Sequence, residues 1–281
     1  MLKITFLGTG TSQGIPIIGS DHPVCLSNDP RDKRLRVSVM LEWDQQYFVI
    51  DCGPDFRQQL LANPIPRLDG LLFTHEHADH TAGLDDIRPF FFRQGALDLY
   101  ADIQVQKALR QRFAYIFETE NKYPGAPTVN LNTLHKDQPF DLGGKKVIPV
   151  EVLHNQWPVM GFRIDDFAYL TDVKTIAKEE REKLQDLDIL VISALRVAPH
   201  PMHLNLEEAL QIVEELQPKR TYFTHISHLL GFHKEVSLIG IQCPLLVVSV
   251  HCNWHRHRHR HWHWQWQWQW QWQWQWQWQW Q

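Results

Sequence analysis

Three imidazoles and two carboxylates lie within six consecutive residues, in the run His75-Glu76-His77-Ala78-Asp79-His80. The run directly follows residues 70–74, an apolar segment that predicts a short buried strand. Neutral imidazole and carboxylate are the ligands that borderline divalent metals prefer. A tight loop between a strand and a helix lets alternate side chains face two adjacent metal ions. The run therefore predicts the metal centre of a hydrolase rather than a solvated polar loop.

Three further candidate ligands each follow a predicted strand later in the chain. His154 follows residues 147–153, Asp172 follows residues 167–171, and His225 follows residues 221–224. Taken singly, such a residue is more often a hydrogen-bonded turn residue than a ligand. Together with the loop they supply enough ligands for two catalytic metals with open positions. The predicted ligand set is His75, His77, Asp79, His80, His154, Asp172 and His225.

The elements that must position these residues alternate between strands and helices. Early strand hairpins, interspersed helices and polar residues at strand ends predict an α+β fold, an αββα sandwich with the helices outside two packed sheets. Residues 117–132 are expected to form a long loop of the kind that often serves as a lid or substrate loop. The predicted strands are 3–7, 37–42, 47–50, 70–74, 145–153, 160–164, 167–171, 189–193 and 221–224, and the predicted helices are 55–62, 102–114, 175–187 and 205–216.

Length, composition and charge limit the number of domains and the kinds of binding partner. The chain has 281 residues and 43% hydrophobic content, which suits one large domain or at most two. A net charge of -4 gives no support for a general nucleic-acid binder but allows a small phosphorylated substrate in a local pocket. The sequence has no apolar run long enough to span a membrane and no signal peptide, so we expect a cytoplasmic protein with no membrane partner. A homodimer remains open.

The character of the chain changes at Ser237. Residues 1–236 are predicted to form the hydrolase domain, and residues 237–281 an anomalous, low-complexity C-terminal tail. The tail ends in a strict Trp-Gln alternation that runs to Gln281. So many tryptophans without a charged residue among them would be an exposed aggregation hazard. Out-of-frame reading of repetitive DNA accounts for such a repeat, and the tail is predicted to be disordered or artefactual.

The metal run resembles the HxHxDH motif of the metallo-β-lactamase superfamily, and His154, Asp172 and His225 occupy the places of its later ligands. The resemblance covers residues 1–235. Within the superfamily the chain is most similar to the phosphoribosyl cyclic phosphate phosphodiesterases that accompany carbon–phosphorus lyase. The tRNA 3′-processing endonucleases are a close second. The supporting segments are GTGTSQGIP at 8–16, DCGPD at 51–55 and GLDDIR at 83–88.

The resemblance implies two divalent ions, zinc or manganese. A water between the two ions would lose a proton near neutral pH and attack a phosphoryl group that the metals polarise. Asp51 would orient the metal loop, although its alternative role as a strand-end turn former is equally open. The implied ligands are His75, His77 and His154 for the first ion, Asp79, His80 and His225 for the second, and Asp172 as the bridge.

An acid must also protonate the leaving oxygen. The candidates are His200 and His203, which precede the helix predicted to begin near Asn205. A helix N-terminus favours a bound anion, and analogy with the family favours His203 over His200. The alternative for either histidine is a capping role at the following helix.

The phosphodiesterase relatives often carry a structural zinc on a cysteine-rich loop. In this chain Ser20 and His22 stand where the first two cysteines are expected. Histidine can bind zinc in place of cysteine, so the three candidate ligands are His22, Cys25 and His228. A structural zinc requires four ligands. Either Asp21, a water or another group completes the site, or no zinc binds. His233 could face the substrate pocket or lie at the surface.

Four functions remain open at this stage. The first is a dinuclear metal-dependent phosphodiesterase that hydrolyses a small phosphodiester, including a cyclic one. The second is a tRNA 3′-endonuclease. The net negative charge and the lack of a long insertion between the later motifs that could grip tRNA argue against it. The third is an ester, thioester or lactam hydrolase on the same scaffold, and the fourth a metal-binding module without catalysis.

Overall fold

Two β-sheets form the centre of the computed structural model, which describes residues 1–236. The tail predicted at 237–281 lies outside the described residues. In the first sheet β1, β2 and β3 are antiparallel, and β3 to β6 run parallel. Its strands follow the order of the chain: β1 (Lys3–Gly8), β2 (Ser38–Trp43), β3 (Gln46–Ile50), β4 (Gly70–Leu72), β5 (Leu97–Ala101) and β6 (Val129–Thr133).

The second sheet combines antiparallel hairpins with three parallel strands. Its strands are β7 (Phe140–Leu142), β8 (Lys145–His154), β9 (Trp157–Ile164), β10 (Phe167–Leu170), β11 (Thr175–Ile176), β12 (Ile189–Ser193) and β13 (Arg220–Thr224). Within the described residues their order is β11-β8-β9-β10-β12-β13, and β7 also pairs with β8. The strands β10, β12 and β13 are parallel. Their carboxyl ends therefore meet at one edge of the sheet.

Helices cover the outer faces of both sheets. The longest described helix, α8, has apolar residues three or four positions apart and begins with a capping box between Asn205 and Glu208. The helices are α1 (Pro23–Leu26), α2 (Phe56–Ala62), α3 (Ala78–Thr81), α4 (Arg88–Gln94), α5 (Ile103–Arg112), α6 (Ala114–Phe117), α7 (Lys178–Glu182) and α8 (Leu206–Leu216), with 3-10 turns at Pro30–Asp32, Leu84–Ile87 and His228–Leu230. No helix among residues 1–236 has the length and apolarity to cross a membrane.

The apolar core has three layers, which confirms the predicted αββα sandwich. The layer between the sheets includes Leu41, Ile50 and Phe162, all buried. On the first sheet, Leu71 faces the outer layer under α5, whereas its neighbour Leu72 faces the inner layer. A strand buried on both faces is continuously apolar, as the sequence of β4 is. The third layer packs α8 against the outer face of the second sheet.

The helix predicted at residues 175–187 is confirmed only for Lys178–Glu182, and its predicted bounds are wrong. Thr175 and Ile176 form β11 and pair with Leu153 and Val152 of β8, and helix follows only at α7. The charge pattern was misleading because Glu180 is buried, where it accepts a hydrogen bond from the backbone N–H of Glu151. Residues 117–132 are also less of a loop than predicted, since β6 begins at Val129.

Candidate metal centre

The metal loop is held in place by the segment that follows β3. The N–H of Cys52 donates to the carbonyl of His80, and the N–H of Gly83 donates to the carbonyl of Cys52. A Cβ at Gly53 would overlap the carbonyl oxygen of Asp79, and one at Gly83 would overlap the carbonyl oxygen of Gly53. The two glycines therefore permit a close approach of backbone to α3. This contact explains why the segments 51–55 and 83–88 accompany the metal run.

Asp51 fixes the orientation of His80. Its carboxylate is buried and accepts hydrogen bonds from the N–H of Thr74 at 2.9 Å and from the Thr74 hydroxyl at 2.8 Å. The same carboxylate lies 2.6 Å from Nδ1 of His80. This contact assigns the Nδ1 proton to the bond with Asp51 and leaves Nε2 as the atom that faces the site. The structure thus favours the orienting role of Asp51, although Asp51 also begins the turn that follows β3.

Asp172 lies at the middle of the site. One of its carboxylate oxygens is 3.2 Å from Nε2 of His80, and the other is 3.2 Å from Nε2 of His225. Asp79 lies against the same two imidazoles, 3.3 Å from Nε2 of His80 and 3.7 Å from Nε2 of His225. The hydroxyl of Thr171 donates to Asp172 at 2.8 Å. Asp172 is shared by two groups of close ligand atoms, one with His75 and His80 and one with His154 and His203.

The other half of the site contains the remaining predicted ligands. Nε2 of His75 is 2.9 Å from Nδ1 of His77, and the ring centroids of His77 and His154 are 5.6 Å apart. Nδ1 of His154 lies 2.8 Å from the carbonyl oxygen of Met202, so it is the donor and Nε2 is free to face the site. The structure therefore brings all seven predicted ligands together at one edge of the sandwich.

Three positions in the site share an uncommon backbone conformation. Asp51, Asp172 and His225 have φ angles of 62°, 52° and 52°, in the left-handed region. Non-glycine residues rarely adopt this conformation, and Asp and His tolerate it better than most. Each follows or closely follows a strand, so the turn aims the side chain away from the strand axis. Strain of this kind typically accumulates at functional sites.

The electrostatics of the site favour a bound cation. Burial alone would raise the pKa of Asp172, but the imidazoles of His225 and His80 outweigh it and lower that pKa well below its usual range. Burial alone would also raise the pKa of Asp79, but His80 and His225 together outweigh it and lower that pKa. Burial and the neighbouring His80 lower the pKa of His75. Burial alone would lower the pKa of His80, but Asp51, Asp172 and Asp79 outweigh it and raise that pKa well above its usual range, so a metal ion there would replace a proton on His80. Ionised carboxylates and neutral imidazole are the forms in which these side chains bind metals.

The residues fit divalent metal ions by a second criterion. Nε2 of His80, Nε2 of His225 and Nδ1 of His203 are buried, and none has a hydrogen-bond partner among residues 1–236. An unsatisfied buried polar atom costs about 1–3 kcal/mol. Divalent cations satisfy such nitrogens and the adjacent carboxylates at once. The set of donors therefore matches what a borderline divalent metal requires.

His203 lies beside Asp172 and His154, whereas the side chain of His200 bonds to the backbone of Met202. Nδ1 of His203 is 3.7 Å from Asp172, and its ring is 4.3 Å from that of His154 and 4.9 Å from that of His225. Burial and the neighbouring His225 lower its pKa to about 3. Nδ1 of His200 instead accepts a hydrogen bond from the N–H of Met202. Neither histidine caps α8, since that role belongs to Asn205.

Comparison with known families identifies the scaffold. A family model described as a β-lactamase superfamily domain matches residues 46–226, which include all seven candidate ligands of the dinuclear centre. The chain belongs to the metallo-β-lactamase superfamily. Divalent metal binding follows from the fold together with the groups of ligand atoms described above.

Individual relatives add detail. A crystal structure described as a new diphosphatase from the PhnP family is 41% identical, with a TM-score of 0.79, and covers 85% of this chain and 91% of that one. A Porphyromonas gingivalis protein named octanoyltransferase is 39% identical over 236 residues, which are 83% of this chain and 48% of that protein. A ribonuclease Z from Methanococcus maripaludis is 28% identical over 113 residues, 38% of this chain and 32% of that protein. The chain thus spans half or less of the length of these two curated relatives.

The predicted structural zinc site of this metallo-β-lactamase chain remains a prediction. The rings of His22 and His228 are 4.7 Å apart in an edge-on arrangement, and Nδ1 of His228 is buried without a hydrogen-bond partner in the described region. Nδ1 of His22, however, accepts a hydrogen bond from the N–H of Val24 at the start of α1. Cys25 is buried and unpaired, and it belongs to none of the groups of close ligand atoms found within residues 1–236.

His233 does not lie at the surface. Its backbone N–H donates to Asp32 at 2.6 Å, and its Nδ1 is 3.4 Å from Nη2 of Arg34. All three side chains are buried. Arg34 also donates to the hydroxyl of Thr9, whose carbonyl accepts from Ile226 next to His225. His233 thus belongs to a buried polar cluster behind the metal centre of this metallo-β-lactamase fold.

Sequence reasoning missed a residue that holds the metal loop from outside. Nη1 of Arg112, at the end of α5, donates to the carbonyl of Glu76 and, at 3.0 Å, to the hydroxyl of Thr81. That hydroxyl in turn donates to the carbonyl of His77 at 3.0 Å. Arg112 therefore restrains the backbone on both sides of His77. No local pattern could reveal it, because an arginine in the last turn of a helix normally interacts with the helix dipole.

Arg112→Gln should weaken zinc binding about tenfold, the low end of the effect of removing a group that orients metal ligands. The loop would lose its external donor while every ligand remains. Zinc affinity would be measured by competition with a chromophoric chelator. Arg110→Gln is the matched control, because Arg110 lies one half-turn away and packs on the ring of Phe117 instead. Equal zinc affinities in the two variants would contradict the role of Arg112.

Proposed function

We propose that residues 1–236 form a dinuclear metal-dependent phosphodiesterase that hydrolyses a small phosphodiester, including a cyclic one. The observation that carries the proposal is the central position of Asp172. Its two carboxylate oxygens face different imidazoles, His80 and His225, each at 3.2 Å. A carboxylate shared in this way is suited to bridge two ions. The similarity to a PhnP-family diphosphatase supports phosphoryl chemistry over acyl chemistry.

The proposal assigns the ligands in two sets around Asp172. Zinc or manganese ions held there would supply an activated water and polarise the phosphoryl oxygen. Asp51 holds His80 in the tautomer that presents Nε2, and Thr171 steadies Asp172. The first set is His75, His77 and His154, and the second is Asp79, His80 and His225, with Asp172 between them.

His203 is the proposed acid for the leaving oxygen. Its imidazole lies beside Asp172, and its Nδ1 has no hydrogen-bond partner within residues 1–236, so that atom is placed to carry a proton for transfer. Burial and His225 lower the pKa of His203 to about 3, so the proposal requires the anionic phosphodiester to raise that pKa when it binds beside the imidazole. His200 is the second candidate, although its Nδ1 is engaged by the N–H of Met202. The ring centroids of the two histidines are 5.1 Å apart.

A small substrate is favoured over tRNA. The net charge of the chain is -4, and a nucleic-acid binder usually carries a basic surface. The ribonuclease Z match also covers only 38% of the chain. The name octanoyltransferase describes a protein about twice as long as the part this chain matches, so it gives no separate argument for acyl transfer. We also propose a cytoplasmic location, which is supported by the absence of a disulfide at Cys25 and Cys52 within residues 1–236.

The test compares substrate classes with one metal-loaded preparation of the full chain. We expect turnover of bis(p-nitrophenyl) phosphate that disappears with a chelator and returns with zinc or manganese. The other arms are a dinucleoside diphosphate, an octanoyl thioester, p-nitrophenyl acetate, a β-lactam and precursor tRNA. Full metal loading with hydrolysis of the acyl substrates alone would overturn the proposal. Site-specific cleavage of precursor tRNA at physiological salt would favour the endonuclease instead.

A further inference from the structure

The hairpin of β8 and β9 places a tryptophan opposite a candidate metal ligand. Two residues, Asn155 and Gln156, join the strands, and Asn155 has a φ of 58°. His154 and Trp157 form the last pair of the ladder before this turn. Directly opposed residues in an antiparallel pair have Cβ atoms about 4.5–5.5 Å apart and point to the same face of the sheet. Trp157 therefore lies on the face of the hairpin that carries His154.

That face leads directly to the metal centre. The ring of His154 is 5.6 Å from that of His77 and 4.3 Å from that of His203, measured between centroids. Its Nδ1 bonds the carbonyl of Met202, which fixes the direction of the imidazole. Because the turn is short and this pair closes the ladder, the hairpin that positions His154 also places Trp157 beside it at the end of the strands.

Trp157 differs in exposure and contacts from Trp43, the other tryptophan in the described region. Trp43 is 2% exposed, stacks on Phe48 at 4.6 Å and donates its Nε1 to the carbonyl of Gly143. Trp157 is 52% exposed and makes no side-chain hydrogen bond or ring contact within residues 1–236. An indole is among the largest apolar surfaces available to a protein. The indole of Trp157 is left about half exposed, at the position that pairs with the candidate ligand His154.

We propose that Trp157 is a stacking platform for an aromatic ring of the substrate, so that the natural phosphodiester carries a nucleobase or a similar ring. The inference rests on the proposed phosphodiesterase function and narrows its substrate class from any small phosphodiester to a nucleotide-like one. Stacking on an exposed aromatic side chain accepts any base, because every base has a π-face. Trp157 would thus set affinity for the ring while the metal centre acts on the phosphate.

The test uses two five-membered cyclic phosphodiesters that differ in the base, adenosine 2′,3′-cyclic phosphate and glycerol 1,2-cyclic phosphate. In the metal-loaded full chain, Trp157→Ala should raise KM for the adenosine substrate about tenfold, within the range that base stacking contributes. The kcat for that substrate, and both constants for the glycerol substrate, should change little. Trp157→Phe should restore most of the lost affinity. Phe92→Ala, which removes a 63% exposed aromatic on α4, is the matched control and should behave as the parent chain.

A binding measurement separates failure of this inference from failure of the proposed function. Calorimetric titration with AMP should show binding to the parent chain and to Trp157→Phe, and about tenfold weaker binding to Trp157→Ala. This comparison decides the role of Trp157 even if neither cyclic phosphate is hydrolysed. AMP binding that is absent from the parent chain, or equal in Trp157→Ala, would overturn the inference. An equal loss of turnover on both cyclic substrates would overturn it as well.

Discussion

Asp172→Asn is expected to abolish phosphodiester turnover and to lower metal affinity by more than about 100-fold, beyond the usual effect of removing a group that merely orients ligands. The amide has nearly the same volume as the carboxylate, so the packing should be retained. It lacks the negative charge that both imidazoles face at 3.2 Å. It would also replace one carboxylate oxygen with an N–H₂ group, which offers no lone pair to a metal ion. Metal content per chain after dialysis against a weak chelator is the direct measurement.

Asp165→Asn is a matched control for this prediction. Asp165 also has a φ of 52°, but it lies in the turn between β9 and β10 and pairs with Lys145 at 2.5 Å. Any effect of placing asparagine in a left-handed turn would therefore occur in both variants. The control should keep its metal and its activity. An Asp172→Asn chain that retained two metals and normal turnover would rule out the proposed bridge.

His203→Ala should slow turnover by about 10²–10⁴-fold when the leaving group is an alkoxide, because general acids contribute on that scale. The same variant should change turnover little when p-nitrophenolate leaves, since that group departs without being protonated. Metal content should be unchanged. The measurement is kcat for a p-nitrophenyl ester and an alkyl ester of the same phosphate, in the parent chain and in the variant.

Two other outcomes of these substitutions would reassign the role of His203. If His200→Ala shows the loss that depends on the leaving group and His203→Ala does not, His200 is the acid. If His203→Ala loses metal, His203 is a metal ligand instead. Its ligand atom lies close enough to those of His154 and Asp172 for that role. Both results would contradict the assignment of His203 as the acid while leaving the phosphodiesterase proposal intact.

The ligands could be predicted from the sequence because metal-binding residue types occur directly after predicted strands. The metal run follows β4, and His225 follows β13, so each lies where a buried strand ends. The parallel arrangement of β10, β12 and β13 then brings Asp172 and His225 to the same edge. Apolar runs predicted these strands well, because burial on both faces leaves a clear pattern.

Other parts of the site depend on contacts between distant residues. Arg112 meets the carbonyl of Glu76 across 36 positions of sequence, and neither residue type signals the pairing. Trp157 becomes notable only through its register with His154. Residues 175–187 were predicted as helix because their charges suggested a solvated face, whereas the buried Glu180 bonds to β8 and β11 extends the sheet. In this last segment tertiary contacts outweigh local propensity.

The contact of Gly53 with Asp79 has a consequence for how relatives of this chain are judged. Any side chain at position 53 would overlap the backbone of α3, and any at position 83 would overlap Gly53. Such a substitution would displace Asp79 and His80 together without altering either of them. A homologue could therefore retain every ligand in its sequence and still be inactive. Whether a family member is a working enzyme or a pseudoenzyme should be read from these two glycines as well as from its histidines and aspartates.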